Sequence, residues 1–147
     1  MATTTVADPY DGRMSERRGT RPAGVLVPLL LDAVLVVVFA VIGRGSHAEG
    51  LDVAGVWTTA WPFLAGLVVG WLAAVAWRHP LAVWPTGIVV WAGTLGVGML
   101  LRLVSGQGVA FAFILVAALT LALLLVGWRG LALLVRRTRP RVEAGAR

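Results

Sequence analysis

The stretch VLVPLLLDAVLVVVFAVI, residues 25–42, decides the fold, because it is apolar and long enough to cross a lipid bilayer. At 1.5 Å per residue, a helix over residues 23–42 is roughly 30 Å long, which matches the thickness of one hydrocarbon core. Asp32 lies inside this run. A helix that began after Asp32 would keep only about ten apolar residues, too few for a span. The sequence therefore predicts a transmembrane helix with an acid inside it.

Three further apolar runs follow, and they predict spans at about residues 55–77, 86–104 and 109–128. The expected fold is all-α, an integral membrane bundle of four transmembrane helices over residues 23–135. Residues 1–22 are polar and lack a hydrophobic period, which predicts a disordered tail. Residues 136–147 form a short basic tail.

Composition supports the membrane class and excludes several functions. Hydrophobic residues make up 59% of the chain and charged residues 14%, whereas soluble domains have about 45–50% and about 25%. All thirteen basic residues are arginine, and no basic stripe interleaved with stacking aromatics is present, so nucleic acid is not an expected partner. The absence of cysteine excludes disulfides and thiolate metal sites. Arginine without lysine is typical of a high-GC bacterial genome.

The positions of the arginines predict the topology. Eleven of the thirteen lie in the two tails, in the loop at residues 78–85 or at the end of span 4, and the other side of the bundle keeps Arg44 and Arg102. By the positive-inside rule, both termini are cytoplasmic. The expected location is a bacterial plasma membrane, with the lipid bilayer as the main partner.

A polar layer is predicted inside the bundle. Counted by helical rise, Asp32, Thr94 and Thr120 each lie roughly 12 Å from the cytoplasmic end of their spans. One interpretation makes Asp32 a proton or cation site, because hydrocarbon penalises the charged form of a carboxyl group. The other makes it a neutral structural clamp bonded to a threonine, in which case Asp32→Asn costs little stability.

The sequence gives Asp32 no well-placed arginine as a counter-charge. Arg102 is the one candidate partner, but it lies about 12 Å higher by rise. Residues 129–135 are expected to continue the helix of span 4 into the head groups, with Arg129 snorkelling. One acid without a nearby second charge makes an incomplete proton relay, which favours the clamp.

Two other features of the spans suggest how the helices pack. Gly66 and Gly70 form a GxxxG pattern, which lets another helix approach the backbone closely. Trp71 and Trp77 come near the end of span 2, where tryptophans commonly anchor a helix at the interface.

A polar cluster on the extracytoplasmic side comprises Arg44, His47, Glu49 and Arg102. The spacing of His47, Glu49 and Asp52 matches no established set of metal ligands, and such a loop is usually only solvated. We therefore expect no metal and no other cofactor. No Ser/His/Asp set can assemble in one layer, so no enzymatic activity is expected.

Several short motifs together resemble a known family. They are Asp32, Phe39-Ala40, Ile42-Gly43-Arg44, Ser46-His47, Thr59-Ala60-Trp61-Pro62-Phe63, Trp84-Pro85-Thr86-Gly87 and Gly98-Met99-Leu100-Leu101-Arg102. The chain is similar, over roughly Leu31 to Val135, to the small bacterial membrane proteins grouped as domain of unknown function 3054. The resemblance implies a four-helix integral membrane domain and implies no activity.

Two functions from different classes agree with these features. The first is a structural or accessory membrane protein that acts through helix–helix contacts, as a homo-oligomer or with another membrane protein. The second is a proton-coupled transporter of small molecules, working as a homo-oligomer with Asp32 as the coupling acid. The transporter requires oligomerisation, because four short helices do not readily enclose a substrate path.

Overall fold

The structure is a computed structural model that describes residues 22–45 and 52–138, and all regular structure in these residues is helical. The helices are α1 (Pro22–Gly45), α2 (Val53–Ala73), α3 (Ile88–Val104) and α4 (Phe111–Thr138). A wide turn at Val83–Gly87 leads into α3, and a π-type turn at Ala122–Val126 interrupts α4. The four helical segments are long and apolar enough to cross a membrane, as the sequence predicts.

The outside of the bundle is apolar. Large side chains on each helix are more than half exposed, among them Val34, Leu72, Leu100 and Leu119. Exposed apolar surface on this scale is unfavourable in water, so lipid is the solvent that the surface requires. The multi-pass membrane class therefore follows from the surface as well as from the length of the helices.

The observed helix ends differ from the predicted spans in two places. Helix α2 ends at Ala73 rather than near Trp77, because Val75 adopts a left-handed backbone (φ 48°) and turns the chain back. Helix α4 continues to Thr138, past the predicted span end at Trp128 and three residues beyond the predicted helical extension to Val135. The second difference matters for the site, because Arg129 lies in the interior of the spanning helix. The predicted tail at residues 1–22 lies outside the described residues except for Pro22.

Helices α2 and α3 form the most extensive contact in the bundle, and glycines make it possible. A Cβ on Gly66 would lie 2.7 Å from the Thr94 carbonyl oxygen, and one on Gly70 would lie 2.8 Å from the Val90 carbonyl oxygen. From the other side, a Cβ on Gly93 would lie 2.6 Å from the Gly70 Cα. The two backbones therefore touch directly, and the GxxxG pattern is used within the chain.

Apolar side chains fill the space between this helix pair and the other two helices. Phe63 of α2 is fully buried and meets Phe39 of α1 edge-to-face, with ring centroids 5.1 Å apart. Trp91 of α3 donates its indole N–H to the Ala118 carbonyl of α4 at 3.0 Å. These contacts hold α1 and α4 against the rigid α2–α3 pair.

We expect Gly93→Ala to destabilise the bundle by about 1–3 kcal/mol, because the new methyl group overlaps the backbone of Gly70. Gly96→Ala on the same helix is the matched control, since a Cβ there meets no atom within 4 Å. The measurement is thermal or denaturant unfolding of the protein in detergent. Equal stability of the two variants would contradict the close α2–α3 contact.

Candidate functional site

A buried ion pair lies in the half of the bundle where α1 begins and α4 ends. Asp32 on α1 and Arg129 on α4 both have 0% exposed side chains. Arg129 Nη1 donates to Asp32 Oδ1 at 2.9 Å, and Nη2 donates to Oδ2 at 2.6 Å. The pair is therefore bidentate, which is the strongest geometry for arginine and a carboxylate.

Two indole N–H groups also donate hydrogen bonds to the carboxylate. Trp71 of α2 donates its Nε1–H to Asp32 Oδ2 at 2.8 Å, and Trp128 of α4 donates its Nε1–H to Oδ1 at 2.8 Å. Each oxygen of Asp32 thus accepts two hydrogen bonds. A carboxylate offers about four lone-pair positions, so the carboxylate is saturated with donors.

Four of the five N–H donors of the guanidinium also have acceptors. Arg129 Nη1 also donates to the Leu125 carbonyl at 2.7 Å, and its Nε donates to the Pro80 carbonyl at 3.1 Å. Its Cζ lies 4.8 Å from the centroid of the Trp128 ring. A Cβ on Gly87 would lie 3.1 Å from Arg129 Cδ, so glycine leaves the room that the side chain occupies.

The π-type turn at Ala122–Val126 aligns Arg129 with the buried face of α4. The buried positions on this helix are Ala117, Leu121, Leu125 and Arg129, each four residues after the previous one. In a regular helix, a spacing of four drifts by roughly 40° at each step, because one turn takes 3.6 residues. A π-type turn takes more residues per turn and offsets this drift. The turn thereby keeps the guanidinium on the buried face and facing α1.

The connection between α2 and α3 closes this end of the bundle. The turn at Val75 places Ala76 in the core, fully buried, and the chain then brings the Pro80 carbonyl to Arg129. A β-branched residue at positive φ costs about 1–3 kcal/mol. Helices α1, α2 and α4, this connection and the turn that leads into α3 therefore meet around the ion pair, which we call the Asp32–Arg129 centre.

Several expectations about this centre were wrong. Arg129 does not snorkel toward the head groups, because it is fully buried and pairs with Asp32. Arg102 is not the partner of Asp32, since it lies near the C-terminal end of α3, away from the ion pair, and donates to Gln107. Trp71 is not an interfacial anchor, because it is 5% exposed and bonds to the carboxylate.

The structure shows no hydrogen bond between Asp32 and either threonine of the predicted polar layer. Thr94 is fully buried, but its hydroxyl donates to the Val90 carbonyl of its own helix at 2.7 Å. Thr120 is half-buried on α4. Within residues 22–45 and 52–138, Asp32 accepts hydrogen bonds from Trp71, Trp128 and Arg129 and from neither threonine.

The predicted extracytoplasmic cluster is described only in part. Arg44 pairs with Asp52 at 3.3 Å, and Arg102 Nη1 donates to Gln107 Oε1 at 2.9 Å. His47 and Glu49 lie outside the described residues. In the part of the chain that the structure covers, no three His, Asp or Glu side chains form a group able to hold a metal ion.

The ion pair changes what is expected of substitutions at Asp32. With Arg129 as the partner, Asp32→Asn leaves a buried guanidinium without its counter-charge, which costs about 3–5 kcal/mol. The double variant Asp32→Leu/Arg129→Met removes both charges, and we expect it to regain most of that stability. Unfolding in detergent, monitored by circular dichroism, measures the stability of both variants.

Asp52→Asn is the matched control, since the side chain of Asp52 is 62% exposed and asparagine can still cap α2. It should cost less than about 1 kcal/mol. A loss for Asp32→Asn no larger than for Asp52→Asn would show that the buried pair does not hold the fold.

Comparison with known proteins identifies a family. The family model described as protein of unknown function DUF3054 matches residues 29–132, which is more than half of the chain and contains both members of the ion pair. No curated protein and no solved structure matches the chain. The chain therefore belongs to the DUF3054 family, as its motifs predict.

Proposed function

We propose that this chain is an accessory multi-pass membrane protein whose helical domain serves as a rigid scaffold for contacts with other membrane helices. The observation that carries the proposal is the saturated carboxylate of Asp32, which accepts four N–H donors from three side chains. Such a centre fixes the relative positions of α1, α2 and α4. We assign it a structural role and propose no enzymatic activity and no cofactor.

The same geometry favours the scaffold over a proton-coupled transporter. A coupling acid must take up a proton and exchange it with water during each cycle. Asp32 has no exposed surface, and its two oxygens already accept four N–H donors. Water could therefore reach the carboxylate only if the helices separated. The scaffold requires no such movement.

The faces available to a partner lie outside the α2–α3 contact. Because Gly66 and Gly70 pack against α3, they are not free to bind a second protein. Helix α4 is the least buried of the four, with 17% of its apolar window buried against 33% for α2. We therefore place contacts with a second copy or another membrane protein on the outer face of α4.

Both termini are proposed to lie in the cytoplasm of a bacterial cell, with the protein in the plasma membrane. Support comes from the arginines, because Arg78, Arg136 and Arg137 are exposed at the end of the bundle where α1 begins and α4 ends. The opposite end carries Arg44 and Arg102. In this orientation, the Asp32–Arg129 centre lies in the cytoplasmic half of the bundle.

The natural absence of cysteine allows a direct test of this orientation. We expect a membrane-impermeant maleimide to label Gln107→Cys, in the α3–α4 turn, in intact cells. Thr138→Cys, at the end of α4, should react only after the membrane is permeabilised. The wild-type chain is the unlabelled control. The reverse pattern would overturn the proposed topology.

A proton-flux assay separates the scaffold from the transporter. We expect proteoliposomes that contain a trapped pH-sensitive dye to show the same slow proton leak with the wild type and with Asp32→Leu/Arg129→Met. The double variant is useful because it removes the acid without leaving a buried charge. A flux in the wild type that disappears in the folded double variant would overturn the scaffold and support Asp32 as a coupling acid.

A further inference from the structure

A groove runs along the surface of the bundle where α1 lies beside the C-terminal turns of α4. Its volume is about 520 Å³, which is within the range of small-ligand sites. Leu31 of α1 forms one wall, and α4 contributes the other lining residues, which are Trp128, Leu131, Ala132, Val135 and Arg136. The last four follow Trp128 by three, four, seven and eight positions, so the five residues lie along one face of the helix.

The Asp32–Arg129 centre holds both walls of this groove in place. Trp128 is half-buried, and its indole N–H is bonded to Asp32 Oδ1 at 2.8 Å. Leu31 directly precedes Asp32 in α1, so the ion pair that joins α1 to α4 also fixes the distance between the two walls. A site whose walls are already in place loses little conformational entropy when a ligand binds.

The lining of the groove changes from apolar to cationic along α4. Leu131 and Val135 are 62% and 46% exposed, and they present aliphatic surface along the middle of the groove. Arg136 lies eight residues after Trp128, about 12 Å further along the helix by rise. Helix α4 ends two residues later, at Thr138. The cation is therefore at the outer end of the groove, at the level where lipid head groups meet the hydrocarbon.

No acid in the described part of the chain neutralises Arg136. Residues 22–45 and 52–138 contain two acids, Asp32 and Asp52, and both pair with arginines elsewhere in the bundle. The side chain of Arg136 is exposed. The groove therefore presents an accessible positive charge beside apolar walls.

We propose that this groove binds one anionic phospholipid, with an acyl chain along the apolar walls and the phosphate group on the guanidinium of Arg136. The apolar and cationic parts of the groove follow the same order as the chain and the head group of a lipid at the membrane surface. A guanidinium binds phosphate oxygens by charge-assisted hydrogen bonds. A soluble anion would leave the apolar walls uncovered, and a neutral lipid would leave the cation without a counter-charge.

The test titrates the full-length protein in detergent with phosphatidylglycerol and measures bound lipid by native mass spectrometry. Phosphatidylcholine with the same acyl chains is the lipid control, because its head group has no net charge. We expect one saturable phosphatidylglycerol site. Phosphatidylcholine should bind about fivefold more weakly, since one basic residue near an anionic lipid surface contributes about that factor.

Two matched pairs of variants decide whether the groove is the site. Arg136→Gln should weaken phosphatidylglycerol binding about fivefold or more, whereas Arg137→Gln, which removes the same charge outside the groove, should change it little. Ala132→Phe fills the groove and should abolish the saturable site. Leu134→Phe places the same side chain at an exposed position outside the groove and should retain the site.

Several outcomes would overturn the proposal. Equal losses from Arg136→Gln and Arg137→Gln would show diffuse attraction to the basic end of the chain, and equal affinities for the two lipids would exclude recognition of charge. A second copy seated in the groove would give dimers without saturable lipid, which is also contrary to the proposal. If circular dichroism shows that Ala132→Phe is unfolded, the arginine pair decides alone, because both arginines are exposed.

Discussion

A carboxylate and a guanidinium buried together in an apolar bundle each cost several kcal/mol to remove from water, and the rest of this structure depends on how that cost is offset. Mutual attraction is enough only when the geometry is good and the remaining donors and acceptors are satisfied. In this protein the pair is bidentate, and four of the five N–H donors of Arg129 have acceptors. The indoles of Trp71 and Trp128 fill the other positions on the carboxylate.

Those donors reach the carboxylate only because the rest of the chain puts them there. The direct backbone contact between α2 and α3 fixes the end of α2, where Trp71 lies. The connection that follows α2 then delivers the Pro80 carbonyl to the guanidinium. On α4, the π-type turn keeps Arg129 on the buried face. Each of these features positions one group that contacts the ion pair.

The sequence predicts the class and the packing glycines well, because both depend on local pattern. The four spans follow from apolar length, and Gly66 and Gly70 follow from a spacing that brings small residues onto one face of a helix. Asp32 is also identifiable, since an acid in the middle of an apolar run has no exposed position available. These features need no knowledge of how the helices are arranged.

The depth of Arg129 could not be predicted from the same pattern, because it depends on where the membrane-spanning part of α4 ends. The sequence predicts a span that ends at Trp128 and a helix that continues to Val135 in the head groups, which puts the arginine outside the hydrocarbon. With α4 continuing to Thr138, Arg129 lies nine residues before the end of its helix, and Asp32 lies ten residues after the start of α1. These two distances place the groups at nearly the same height in antiparallel helices. The useful signal was the buried acid itself, which requires a counter-charge somewhere at its own depth.

The arginines at the two ends of the bundle are held by different kinds of partner. At one end Arg129 is enclosed by acceptors and has no exposed surface. At the other end Arg44 pairs with Asp52, and Arg102 donates to Gln107 in the α3–α4 turn. The partners of Arg129 come from three different parts of the chain, whereas Asp52 and Gln107 each lie within eight residues of the arginine that they bind. The intramembrane pair therefore joins distant segments, which is why the acid of span 1, the most conspicuous residue of the sequence, is explained by the fold.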